Sequence, residues 1–186
     1  MRVIAGSAKR LLLTTVEGLD TRPTTDRIKE TLFNMLSLDI PGCLFLDLFS
    51  GSGAIAIEAL SRGAKRAVLV ENNPKAVRCI RDNLRRTRLE EGAQVMECDA
   101  AEALRRLSGK GLVFDVIFMD PPYNRQFERR ILEALRDSDL ADGNTLIVVE
   151  ASKETDFSWL DEAGYELIKN KEYKTNRHVF ARKREE

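Results

Sequence analysis

Asp120-Pro121-Pro122-Tyr123 follows the apolar run FDVIFM and is the segment of this sequence best equipped for chemistry. Adjacent prolines fix the backbone and remove N–H donors, so the Pro121 carbonyl and the Asp120 carboxylate are left to accept hydrogen bonds. Such a pair grips the two hydrogens of a planar amino group, and Tyr123 offers a flat surface for a base. A ring amine needs this help because its lone pair is delocalised into the ring.

Three further segments place acids beside turns. In Asp47-Leu-Phe-Ser-Gly51-Ser-Gly53-Ala-Ile-Ala56 a strand runs into a glycine turn and then a helix, which lets the backbone approach a ligand closely. The turn also reads as a dinucleotide fingerprint, with Glu71 twenty residues after Gly51. Asp47 weighs against that reading, because a carboxylate just before the turn favours a ligand with a cationic part over a pyrophosphate. Glu71 ends the next apolar run, where its two oxygens can accept both hydroxyls of a ribose. Asp99, followed by Ala100, ends the third run and either accepts from an adenine amino group or caps a helix.

These residues need a scaffold that brings strand ends together. From Leu44 onward, short β-rich runs (LFLDLF, AVLVE, AQVMEC, FDVIFMD, TLIVVE) alternate with helical stretches of about ten to twenty residues. That is the pattern of βαβ units around a parallel sheet. The runs are almost continuously apolar, as strands covered on both faces should be. Two later runs, Tyr165-Glu-Leu-Ile and His178-Val-Phe-Ala, lack a helix between them and predict an antiparallel pair at one edge. The expectation is a seven-stranded, doubly wound α/β domain over residues 24–186, whose ligands sit outside the carboxyl ends of its strands. An arm over residues 1–23 precedes it, with VIAG and LLLTT able to pair as a small hairpin. Thr24 or Thr25 then caps a helix carrying Ile28, Leu32, Met35 and Leu36 at helical spacing. His178 falls in the predicted edge strand and is assigned a structural or surface place rather than a catalytic one.

Composition narrows the function classes. The 186 residues are 43% apolar and 32% charged, with 30 basic and 30 acidic side chains, so a globally basic nucleic-acid binder is excluded while a local basic face is not. Cys43, Cys79 and Cys98 are odd in number and form no C-x-x-C pair, which disfavours a disulfide framework or a zinc site. The N-terminus lacks a signal-peptide pattern and no apolar run reaches membrane-span length, so a cytoplasmic protein is expected. Two segments carry local positive charge. Residues 75–88 hold Lys75, Arg78, Arg81, Arg85, Arg86 and Arg88 against Asp82, with Arg78, Arg81, Arg85 and Arg88 predicted on one helical face; residues 169–186 hold seven Lys/Arg and three acids. Each is either a phosphate-binding surface or a solvated face.

The set Asp47...Gly51-x-Gly53, Glu71, Asp99 and Asp120-Pro-Pro-Tyr123 resembles the Rossmann-like S-adenosylmethionine-dependent amino-methyltransferases. Arg2-Val-Ile-Ala-Gly6, the block from Gly18 through Arg22-Pro-Thr24-Thr25-Asp26-Arg27 to Glu30, and Phe33-Asn34-Met-Leu36 resemble more narrowly the bacterial 16S rRNA guanine-N2 methyltransferases of the RsmD type. The resemblance spans nearly the whole chain, with Tyr173-Lys174-Thr175 standing where a Gly-containing turn is more usual. It implies S-adenosylmethionine as cofactor, no metal, and 16S rRNA in an assembling small ribosomal subunit as partner of a monomeric enzyme. By the same resemblance, Asp47, Gly51 and Gly53 hold the methionine part, Glu71 the ribose, and Asp99 with Ala100 the adenine. Asp120 and Pro121, with Pro122 and Tyr123, orient the target amine, while Arg22, Thr24 and Thr25 reach substrate or cofactor. Arg78, Arg81 and Arg85 are the candidates for RNA contact. Three other readings stay open from the residues: a DNA adenine-N6 methyltransferase, since the Asp-Pro-Pro-Tyr segment grips any planar amine; a nicotinamide-dependent dehydrogenase, which leaves that segment without a purpose; and an inactive RNA-binding or assembly factor, against which the intact Asp120 through Tyr123 speaks.

Overall fold

In the computed structural model, residues 1–16, 25–122 and 126–184 are described, and they build one sheet covered on both faces. The strands are β1 (Leu44–Asp47), β2 (Arg66–Glu71), β3 (Ala93–Glu97), β4 (Val116–Met119), β5 (Leu146–Ser152), β6 (Tyr165–Glu172) and β7 (Asn176–Lys183). Their order is β3-β2-β1-β4-β5-β7-β6, parallel through β5 and antiparallel for the last two pairings. The seven strands and the antiparallel end are as the run pattern predicts. One detail differs: β7, which carries His178, inserts between β5 and β6, so His178 lies inside the sheet and not on its edge. The hairpin turn lets β6 take the outer place, and β6 is accordingly the strand with mostly exposed side chains.

The helices are α1 (Asp26–Met35), α2 (Ala54–Ser61), α3 (Pro74–Thr87), α4 (Ala100–Leu107) and α5 (Phe127–Arg136). Local sequence starts three of them. Thr25 caps α1 by accepting from Ile28 N–H, Asn73 caps α3 ahead of Pro74, and Asp99 caps α4. Apolar side chains of α1, α2 and α3 share one core with Phe45, Leu69, Phe118, Val148 and Phe180 from one sheet face. On the other face α4 and α5 share a core with Leu46, Val68, Val70, Ile117, Met119 and Val149. Arg88 does not join the arginine face of α3. It is the C-cap, in left-handed conformation at φ 58°, which ends the helix one residue before it.

Among its described residues, the arm pairs through a single antiparallel bridge, Arg2 with Leu12, rather than through two strands. It is held to the domain by buried polar groups. Glu58, a charge inside the otherwise apolar α2, accepts from Ile4 N–H and Ala5 N–H at 2.8 and 3.0 Å. The same carboxylate meets Lys29 Nζ at 3.2 Å and Arg62 Nε at 2.7 Å. A buried carboxylate is tolerable only with such partners.

Candidate active site at the carboxyl ends of the strands

The chain order reverses at β1. It runs outward from β1 to β2 and β3, then crosses back to β4 on the other side of β1. A crevice opens where neighbouring connections leave in opposite directions, beyond the carboxyl ends of β1 and β4. Asp47 ends β1, Glu71 ends β2, and Asp120 follows β4 directly. Asp47 pairs in register with Leu69 and Phe118. Glu71 and Asp120 stand two residues beyond those partners, and alternation therefore puts all three acids on the sheet face that α1, α2 and α3 cover.

Their surroundings differ. Asp47 is 1% exposed and neither carboxylate oxygen makes a hydrogen bond of good geometry among the described residues, although Phe49 N–H, the Ser50 hydroxyl and Ala56 N–H are near enough to favour its charge. Burial pushes its acid from an ordinary 3.8 up to about 7. An orphaned buried carboxylate is unfavourable without a cation or donor to meet it, so the position fits a ligand ammonium and repels a pyrophosphate. The turn behind it requires glycine: Gly51 and Gly53 have φ of 55° and 81°, and a Cβ on Gly53 would press to 3.2–3.4 Å on Leu69, Ile80 and Ile57. A Cβ on Gly51 would meet nothing within 4 Å, which marks the turn's open side.

Glu71 accepts Gly51 N–H and Asn73 N–H, each at 2.9 Å. Each oxygen keeps a further lone pair for a hydroxyl. Asp99 Oδ1 accepts Glu102 N–H at 2.8 Å, so the helix-capping role is realised, and Ala100 is buried as the first residue of α4. Asp120 is raised well above the usual carboxylate range, first by burial and then by the nearby charges of Glu150, Asp47 and Glu128. Pro121 is buried and Pro122 exposed.

Of the remaining sequence candidates, Arg22, Thr24 and Tyr123 lie outside the described residues. Thr25 is spent on the α1 cap. Arg78, Arg81 and Arg85 are exposed on α3, where Arg81 meets Glu97 at 3.9 Å and Arg85 meets Asp82 at 3.2 Å. Both pairs are solvent-exposed and therefore weak enough to give way to phosphate.

Sequence reasoning passed over Asn83, Glu128 and Glu150, which the structure brings to this region, and gave His178 no catalytic role. Asn83 donates to Thr14 O and Ser52 O at 2.9 and 3.0 Å and accepts Thr14 N–H at 2.8 Å, joining the arm to the glycine turn. A polar side chain on the apolar face of α3, between Ile80 and Leu84, is the signal that marks it. Glu150 and Glu128 are buried acids near Asp120, and His178 is fully buried against Glu150. Glu150 was legible as the one charge ending the run TLIVVE.

Comparison with known proteins supplies the family. The chain is 40% identical to YlbH of Bacillus subtilis (strain 168) over 156 residues, 84% of this chain and 85% of that one. It is 36% identical to ribosomal RNA small subunit methyltransferase D of Escherichia coli (strain K12), over 83% of this chain and 76% of the relative. The solved structure of yhhF from Escherichia coli superposes with a TM-score of 0.84 at 32% identity, covering 100% of this chain and 99% of that one. The architecture is the Rossmann-like fold of the S-adenosylmethionine-dependent methyltransferases. The family described as "Conserved hypothetical protein 95" matches residues 1–182, and together with these relatives it shows that the chain belongs to the RsmD family.

Proposed function

We propose that this protein methylates the exocyclic N2 amine of a guanine in 16S rRNA, using S-adenosylmethionine, while the small ribosomal subunit assembles. The observation that carries the reading is the placement of Asp120-Pro121 at the strand-order reversal, beside the unpartnered carboxylate of Asp47. Relatives named ribosomal RNA small subunit methyltransferase D support the substrate class.

Bound S-adenosylmethionine supplies an electrophilic methyl group on a sulfonium. Asp47 faces the ligand ammonium, Gly51 and Gly53 let the backbone come close, and Glu71 takes the ribose hydroxyls. Asp99 lies at the end of β3 for the adenine. Asp120 and the Pro121 carbonyl hold the two amine hydrogens, turning the nitrogen towards the methyl carbon. Fixing that line of approach supplies most of the acceleration, and the Asp120 carboxylate accepts the proton the nitrogen loses.

Transfer of labelled methyl to small subunits lacking their native methylations, followed by mapping of the modified base, tests the reading. Label on a guanine N2 is expected. Label on adenine N6 of DNA, or on no nucleic acid, would overturn it.

A further inference from the structure

The far side of Asp120 holds a row of polar side chains that the binding of cofactor and guanine does not use. Met119 pairs with Val149 in register, so Asp120 stands beside Glu150 on the neighbouring strand. Glu150 in turn pairs with His178 across the antiparallel β5–β7 ladder. His178 Nε2 lies 3.1 Å from Glu150 Oε2, and its Nδ1 lies 3.1 Å from the Tyr173 hydroxyl. Asn176 Nδ2 donates to the other Glu150 oxygen at 2.6 Å and holds the carboxylate in place. Tyr173 packs edge-on to the imidazole at 5.1 Å and its backbone N–H is bonded to Asn176 O. The middle of the row is buried, with Glu150 4% exposed and His178 0%, while Asp120 and Tyr173 at its two ends are partly exposed.

We propose that Glu150, His178 and Tyr173 form a proton exit path that serves Asp120, leading from the carboxyl end of β4, where a bound guanine would cover Asp120, through the sheet to a separate surface opening. The proposal rests on the amine-methylation reading above. When the N–C bond forms and the C–S bond breaks with its electron pair on sulfur, the nitrogen carries one surplus proton. That N–H bond breaks onto the Asp120 carboxylate, leaving its pair on nitrogen. Asp120 passes a proton to Glu150, Glu150 to His178 Nε2, and the Nδ1 proton leaves through the Tyr173 hydroxyl to water. Imidazole accepts at one nitrogen and donates at the other, so the ring relays one proton and ends in the opposite tautomer, which a ring flip between turnovers restores. Asp120 is only partly exposed, and a guanine held against it would cover that opening, so a received proton needs another way out; Glu150, Asp47 of β1 and Glu128 of α5 surround it with further acids. The outer end faces Lys171, whose ammonium lies 6.0 Å from the Tyr173 ring centre. Glu150, His178 and Tyr173 act through Asp120 and are positioning residues.

His178 is the only histidine, so its imidazole nitrogen resonances are identified without ambiguity. In nitrogen NMR of the cofactor-free protein, Tyr173→Phe should shift the His178 ring-nitrogen resonances by removing a hydrogen-bond partner, and Asp120→Asn should shift them through Glu150, which stands between the two. Resonances that Asp120→Asn does not move overturn the proposal, and this arm needs no substrate. In single-turnover methyl transfer with cofactor saturating, Tyr173→Phe and His178→Gln should slow the step by roughly tenfold near neutrality. The deficit should shrink as pH rises, with KM and cofactor affinity unchanged. Rates and pH profiles equal to those of the unmodified protein overturn it. If His178→Gln does not fold, the partly exposed Tyr173→Phe decides alone. Absence of transfer to guanine by the unmodified protein overturns the functional reading instead, and the nitrogen NMR spectra still decide whether the row is coupled.

Discussion

Glu71 Oε2 accepts the Gly51 N–H at 2.9 Å, tying the end of β2 to the glycine turn that follows β1. The other oxygen accepts Asn73 N–H and so reaches the cap of α3. One carboxylate thus sets the spacing of two loops that would hold opposite parts of a nucleoside ligand. Its orientation is fixed before any ligand arrives, which lowers the entropy lost on binding.

Glu71→Ala should therefore weaken S-adenosylmethionine binding by about 1.5–3 kcal/mol, the range for a charge-assisted contact. Calorimetry on the purified protein measures it. Unchanged affinity would remove Glu71 from the site.

Asp47 yields a prediction with a definite sign in pH. Its acid is raised from 3.8 to about 7 in the folded protein by burial. Between those values the folded chain binds a proton that the unfolded chain has lost, so stability falls as pH rises through that window. Asp47→Asn should be more stable than the unmodified protein above that window, by up to about 4 kcal/mol. It should also bind S-adenosylmethionine about tenfold or more weakly, since the ammonium loses its counter-charge. Denaturant melts at two pH values and calorimetry check both halves; equal stability above neutrality would contradict the first.

Asp120→Ala should leave cofactor affinity almost unaltered and slow methyl transfer by about 10²-fold or more, the usual scale for losing a positioning or acid-base group. Asp120→Asn separates the two roles. It retains more activity than alanine if orientation dominates and matches alanine if proton removal dominates. Single-turnover rates on one small-subunit substrate distinguish them, and undiminished transfer by the alanine variant would end the claim.

Charge reversal at Arg81 and Arg85 should raise the apparent substrate constant and flatten its salt dependence while sparing cofactor affinity, because each phosphate contact releases counterions. Binding assays at several salt concentrations provide the test. An unaltered slope returns α3 to a purely solvated surface.

Gly6→Ala should release the arm. A Cβ there would stand 1.7 Å from the Ser61 carbonyl oxygen, at a φ of 84° that already disfavours alanine. A destabilisation of about 2–4 kcal/mol is expected, as for other clashes at strained backbone positions. Its measure is the midpoint of urea unfolding, and an unshifted midpoint would show that the arm does not contribute.

The order of strands and helices, the parallel sheet with its antiparallel end, and the acids at strand ends were legible because apolar runs, turn glycines and prolines act locally. The family resemblance drew on the same short motifs. Only the tertiary structure decided which acids share a neighbourhood. Asp120, Glu150 and His178 are distant in sequence and adjacent because the register of β4 on β5 and of β5 on β7 places them level. The insertion of β7 between β5 and β6 buried the histidine that a simple edge strand would have exposed. Likewise, nothing local to Glu58 or Asn83 told that they would hold the arm, since their partners at residues 4, 5 and 14 meet them only after the chain has packed. Periodicity reports which face of an element is buried, whereas the partner of a buried polar group depends on long-range packing, which a single sequence encodes only through the fold as a whole.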